Sequence, residues 1–182
     1  MNKIRFAMLL FVASESVFFI ILMAAYVVYH ATSPSAADAS RYLDIPRTAI
    51  FSAALYSSSF TMWQSGRNFR TGRPRLALAW LAATMALGAS FLVGEVTEYA
   101  TLIGKNVTVA RDLFGTTFFT LTGFHGLHVF IGLIMLAILF GMGLKRGTAG
   151  TSRALEGISI YWHFVDSVWI FIFSIVYLWA LR

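Results

Sequence analysis

Apolar residues gather along this chain into runs of bilayer length separated by short polar segments. Crossing a hydrocarbon core of roughly 30 Å takes about 20 helical residues. Five runs approach or exceed that length: Phe6–Tyr29, Thr48–Gln64, Leu76–Val96, Leu113–Leu144 and Gly157–Leu181. The second is short and rich in small hydroxyl residues ("LYSSSFTMW"), and the fourth is long enough to tilt strongly or to begin outside the hydrocarbon. The segments between them, "ATSPSAADASRYLDIP", "GRNFRTGRPR", "GKNVTVARD" and "KRGTAGTSR", carry turn punctuation and are too short for a second domain. The pattern predicts an all-α fold: a polytopic membrane protein with a bundle of five transmembrane helices, forming a single membrane domain over residues 1–182. The start, "MNKIRFAMLLFV", resembles a signal sequence in its basic head, but its apolar run continues past Glu15 to Tyr29. That is too long for a signal h-region, so it is read as a retained first span.

Composition agrees: 58% of the 182 residues are hydrophobic and only 12% charged, outside the balance of ordinary soluble domains. A net charge of +6 invites a nucleic-acid reading, but the basic residues sit in the short loops between apolar runs, where a membrane topology explains them and no nucleic-acid partner is needed. With the N-terminus inside, the inner segments hold Lys3, Arg5, Arg67, Arg70, Arg73, Arg75, Lys145, Arg146 and Arg153, nine against five outside. The expected orientation is therefore N-in, C-out. The absence of cysteine excludes disulfides, thiolate zinc sites, iron–sulfur clusters, a thiolate copper centre and thiol nucleophiles. Glycines punctuate the third run (Gly88, Gly94) and the fourth (Gly115, Gly123, Gly126, Gly132, Gly141). In lipid, helices gain packing by close backbone approach at small residues, so a tight bundle with a central fourth helix is expected.

Ionisable residues at membrane depth are the candidate chemistry, since a charge at the bilayer centre costs about 2.5–3.5 kcal/mol even on insertion scales. Glu15 lies mid-span among "VASESVFF" as a solitary carboxyl, where desolvation disfavours the charged form; it is the candidate for a proton-related role. His125 and His128 in "GFHGLHVF" share a helical face, as do His163 and Asp166 in "YWHFVDSVW". Both pairs are read first as a structural polar network, the second as mutually satisfied. Glu95 and Glu98 fall at the outer end of the third span, within reach of head groups and water. His30, Glu98, Arg146, Glu156 and Trp162 are candidates for lipid or subunit interfaces, and Trp63, Trp162, Tyr177 and Trp179 for an aromatic belt or the core. Together His125, His128, His163 and Asp166 could in principle ligate a metal, and a bis-His haem is also conceivable. Four histidines are few for a membrane oxygenase, however, and no metal is assigned.

"FGTTFFTLTGFHGLHVFIG" and "EGISIYWHFVDSVWIFIFSIVYLW" resemble the last two helices of subunit III of the haem–copper oxidases. "ASESVFF…YVVYH" resembles that family's helix with a membrane-buried acid, and "LYSSSFTMW" and "GEVTEY" resemble its next two helices, so the likeness covers essentially the whole chain. It implies a subunit without a redox centre, docked directly on the catalytic subunit I of a proton-pumping terminal oxidase, beside subunit II and smaller subunits. The haems and copper belong to those partners, and bound phospholipid is expected on this one. Glu15 matches the family's carbodiimide-reactive acid; Glu98, His125, His128, Glu156, Trp162, His163 and Asp166 fall on its motif positions. The implied roles are assembly, stability and rapid proton uptake by the catalytic subunit. Longer members have seven helices, the first two forming a lipid-filled cleft against the other five. Here the likeness begins at the third, so the cleft would need a far wall from another subunit. The five-helix form implies a bacterial cytoplasmic (inner) membrane.

The leading expectation is the accessory subunit III of an aa3-type cytochrome c oxidase. The alternatives are subunit III of a quinol oxidase, the five-helix relative associated with nitric oxide reductase, and an independent membrane metalloenzyme built on the histidines.

Overall fold

The computed structural model describes residues 3–32, 42–110, 113–146 and 148–178, excluding the side chains of 146, 148–150, 152 and 153. The Arg146 side chain, Trp179 and the end of the fifth run at Leu181 lie outside the described residues. Five helices follow in order: α1 (Lys3–Thr32), α2 (Ile45–Arg70), α3 (Pro74–Gly104), α4 (Leu113–Arg146) and α5 (Thr148–Phe173), the last continuing as a π-helical turn, Ser174–Leu178. No strand occurs among the described residues.

Local chemistry sets the boundaries. Asp44 caps α2 by accepting from the Arg47 amide at 3.2 Å, with a proline in the first turn. Between α2 and α3, Gly72 takes φ +70° and Arg73 N–H bonds back to Asn68 C=O at 2.9 Å. This closes the first helix with a glycine in the left-handed region, and Pro74 starts the next.

Four helical stretches are long and apolar enough to cross a membrane: Lys3–Thr32, Pro74–Gly104, Leu113–Lys145 and Ala154–Leu178. The expected second span, Thr48–Gln64, is a helix but is not among them, because its serines, threonines and Gln64 dilute its hydropathy. Its polar residues have a use: Thr48, Ser52, Ser58, Thr61, Ser65 and Asn68 are all buried, on the face that α2 turns to its neighbours. Helices α1, α2 and α3 outrun their apolar runs at both ends, α4 at its C-terminal end and α5 at its N-terminal end, since polar first and last turns can continue a helix beyond the hydrocarbon.

Helix α2 pairs with α3 along its length and also meets α5; α4 packs between α3 and α5, and α1 leans on α4 and α5. The central position expected for α4 is thus shared with α5, each touching three other helices. The core runs between them through Phe91, Phe118, Leu136, Trp162 and Trp169, whereas α1 leaves Phe6, Leu10, Val17, Ile20 and Ile21 exposed. Glycines admit the largest side chains. A β-carbon at Gly88 would lie 2.6 Å from Trp162 Cη2, and one at Gly132 would lie 2.8 Å from Trp162 Cζ3. The indole is therefore wedged between the backbones of α3 and α4.

Candidate functional site: a framework of buried polar contacts

Six of the ionisable residues singled out from the sequence fall into three separate groups. In the first, Glu15 Oε2 on α1 lies 3.1 Å from His128 Nε2 on α4, so the carboxyl is solitary only in sequence. His128 Nδ1 is 2.7 Å from the Phe124 carbonyl, which can only accept, so Nδ1 carries a hydrogen. Nε2 then holds a second proton only if the ring is cationic. The Glu15 contact therefore needs one proton, carried either by the carboxyl or by Nε2, and the pair is neutral overall in both forms. Phe19 meets the His128 ring edge-on at 5.0 Å, and Tyr161 OH donates to the His128 carbonyl at 3.0 Å.

The second group contains His163 and Asp166. They do not satisfy one another directly as expected: both converge on Ser59 of α2, whose Oγ donates to Asp166 Oδ2 and lies 3.0 Å from His163 Nδ1. With the hydroxyl hydrogen spent on the carboxylate, Nδ1–H donates to Ser59 and the three form a relay joining α5 to α2. Because His163 and Asp166 lie one helical turn apart on the same face of α5, a single serine on the facing α2 can serve both side chains at once. We expect Ser59→Ala to weaken the α2–α5 contact by about 1–2 kcal/mol, because it leaves the buried Asp166 and the half-buried His163 each short of a bond. Thermal unfolding in detergent should show that loss, and an unchanged midpoint would remove Ser59 from the framework.

The third group lies at the other ends of α2 and α3. Glu98 Oε2 accepts from Tyr177 OH at 2.8 Å and lies 3.2 Å from Thr48 Oγ1, whose single hydrogen is shared with the Asp44 carbonyl at 2.9 Å. Glu95 Oε1 is 3.1 Å from Tyr99 OH, which is 2.7 Å from Thr122 Oγ1 on α4. Both acids were expected to face head groups and water, yet they are only 8% and 7% exposed. The reason is that α3 runs on to Gly104, while α2 and the π-helical turn cover them.

His125 is fully buried in an aromatic box, stacked on Trp169 at 4.8 Å with Phe91 and Phe19 around it. His30 stacks on Tyr26 at 5.5 Å. Glu156 pairs with Arg5 at 3.5 Å in an exposed contact that contributes little to stability. Trp162, considered for a lipid or subunit interface, is wholly inside the bundle, its Nε1 donating to Ser58 Oγ at 2.9 Å. Among the described residues no three His, Asp or Glu side chains gather into a group that could hold a metal ion. The hydroxyl partners Thr48, Ser58, Ser59, Tyr99, Tyr161 and Tyr177 went unassigned in the sequence; the recurrence of hydroxyls at helical spacing along α2 was the available signal.

Long apolar helices whose acids and imidazoles are engaged in contacts between helices define an integral membrane protein held together by buried polar bonds. A family model described as "Cytochrome c oxidase subunit III" matches residues 1–181. The chain is 36% identical over 177 residues to the cytochrome bo(3) ubiquinol oxidase subunit 3 of Pseudomonas aeruginosa, covering 95% of this chain and 83% of that one. It is 35% identical to the cytochrome c oxidase subunit 3 of Synechocystis sp. (95% and 74% covered) and 32% identical to that of Corynebacterium diphtheriae (97% and 88%). The chain belongs to the cytochrome c oxidase subunit III family, the third subunits of haem–copper oxidases.

Proposed function

We propose that the chain is the accessory subunit III of a proton-pumping aa3-type cytochrome c oxidase in a bacterial cytoplasmic membrane, supporting assembly, stability and proton uptake of the catalytic subunit. The observation that carries this reading is the family match along residues 1–181, joined to a framework whose ionisable groups bridge helices. In this reading all five helices cross the bilayer as one domain, N-terminus inside. The inward-facing hydroxyls of α2 support its crossing, because their polar atoms are met by neighbouring helices. The exposed apolar face of α1 is available to lipid and to subunit I, with subunit II and smaller subunits completing the assembly. A quinol oxidase is the second reading, favoured by the 36% identity to the Pseudomonas aeruginosa ubiquinol oxidase subunit.

Affinity purification from native membranes tests both. We expect a haem–copper catalytic subunit to co-purify in equal stoichiometry, with a-type haem spectra and oxidation of reduced cytochrome c. Quinol oxidation without cytochrome c oxidation would transfer the assignment to the second reading. Recovery of the chain without any haem protein would remove both.

A further inference from the structure

Glu98 is bonded on one oxygen only. Its Oε2 has Tyr177 and Thr48, whereas its buried Oε1 meets no hydrogen-bond partner among the described residues. Leaving such an atom unpaired forfeits the hydrogen bonds it would have in water, at a greater cost if it is charged. Oε1 belongs to a side chain lining a cavity of about 30 Å³, above the roughly 10–15 Å³ that a water needs. Glu95, Tyr99 and Thr122 line the same cavity, and Tyr42, Asp44 and Arg47 lie toward its mouth at the start of α2.

Thr122 Oγ1 donates to the Phe118 carbonyl at 2.7 Å and lies 2.7 Å from Tyr99 OH, which is 3.1 Å from Glu95 Oε1. Each hydroxyl has one hydrogen. All three bonds form together only when Glu95 carries a proton and donates it to Tyr99, which donates to Thr122. At Glu98 a protonated Oε1 would need an acceptor and an ionised one a donor; water is both.

We infer that this cavity holds one ordered water hydrogen-bonded to Glu98 Oε1, through which the buried acids Glu98 and Glu95 exchange protons with the aqueous phase at the Asp44 end of the bundle. The charged and titratable groups around them are Tyr42, Asp44 and Arg47 on the α2 side, Tyr99 on α3 with Lys105 just after it, and Tyr177 on the π-helical turn. Thr122 of α4 and Trp169 of α5, which also face the cavity, do not titrate. Lys105 bonds the Tyr42 carbonyl at 3.5 Å, holding the segment before α2 over the mouth.

The test uses the full chain with its co-purifying subunits in native lipid. A density map that resolves waters should contain a peak within hydrogen-bonding distance of Glu98 Oε1; a dry cavity would overturn the inference. Infrared spectra should show a protonated-carboxyl band that shifts within minutes of transfer to D2O and is lost in Glu98→Gln or Glu95→Gln but retained in Glu15→Gln. A band that ignores D2O, or persists in both outer-end variants, refutes proton exchange at this site. If those variants fail to accumulate, Tyr177→Phe serves instead: removing one donor to Glu98 should raise the frequency of the exchanging band, and an unmoved band counts against the assignment.

Discussion

Trp162→Ala is expected to destabilise the bundle by about 3–5 kcal/mol, the range for removing a large buried aromatic side chain. The indole is 0% exposed and its Nε1 donates to Ser58 Oγ at 2.9 Å. Its ring separates α3 from α4 at Gly88 and Gly132, where there is no room for a methyl group. In lipid the loss arises from forfeited packing and one hydrogen bond, since transfer of apolar surface between a protein interior and acyl chains gains little. The same geometry predicts the opposite fault: Gly132→Ala should overpack the site by about 1–3 kcal/mol. The ring cannot retreat, because Gly88 lies against its other edge. Combining Gly132→Ala with Trp162→Phe should recover part of that loss, because the smaller ring vacates the space the methyl needs. Denaturant titration in mixed micelles would measure all three. Equal stability of Trp162→Ala and the parent would mean that the wedge does not hold the helices together.

The helices themselves were legible because twenty-odd apolar residues in succession have few other structural uses, and Gly88 and Gly132 signalled close helix approach before their partner was known. What could not be read was which side chain fills the space they leave. That depends on the rotation of α5, which brings Trp162 across from a helix distant in sequence. The candidate site divides in the same way. The (i, i+3) spacing put His163 beside Asp166, and it put His125 beside His128. Only the structure separates the last two, sending His128 toward Glu15 and His125 into an aromatic box. The apolar run ends near Glu98, so the sequence pattern places it within reach of head groups and water. The chain there is still helical, however, and its cover comes from Thr48 and Tyr177, at the opposite ends of the sequence. Local pattern carries depth along a helix well; it carries azimuth, and therefore partnership, poorly.

His128→Leu and Glu15→Gln should differ sharply although they address one hydrogen bond. The Glu15–His128 contact holds a single proton between two groups, so an amide at position 15 can replace the carboxyl by donating its N–H to Nε2. Glu15→Gln is therefore expected to assemble nearly as the parent does. His128→Leu removes the acceptor and the ring that packs edge-on against Phe19. Were Glu15 left ionised, breaking a buried pair would cost about 3–5 kcal/mol. The carboxyl can instead keep the proton, which brings the expected loss to about 3 kcal/mol, the upper end of the range for an unsatisfied buried group. The two variants thus separate structure from proton chemistry. If Glu15 serves proton uptake, Glu15→Gln should slow turnover of the assembled oxidase while leaving subunit retention intact, and His128→Leu should lower both. Loss of the subunit in Glu15→Gln would instead show that the charged form of the pair holds α1 to α4.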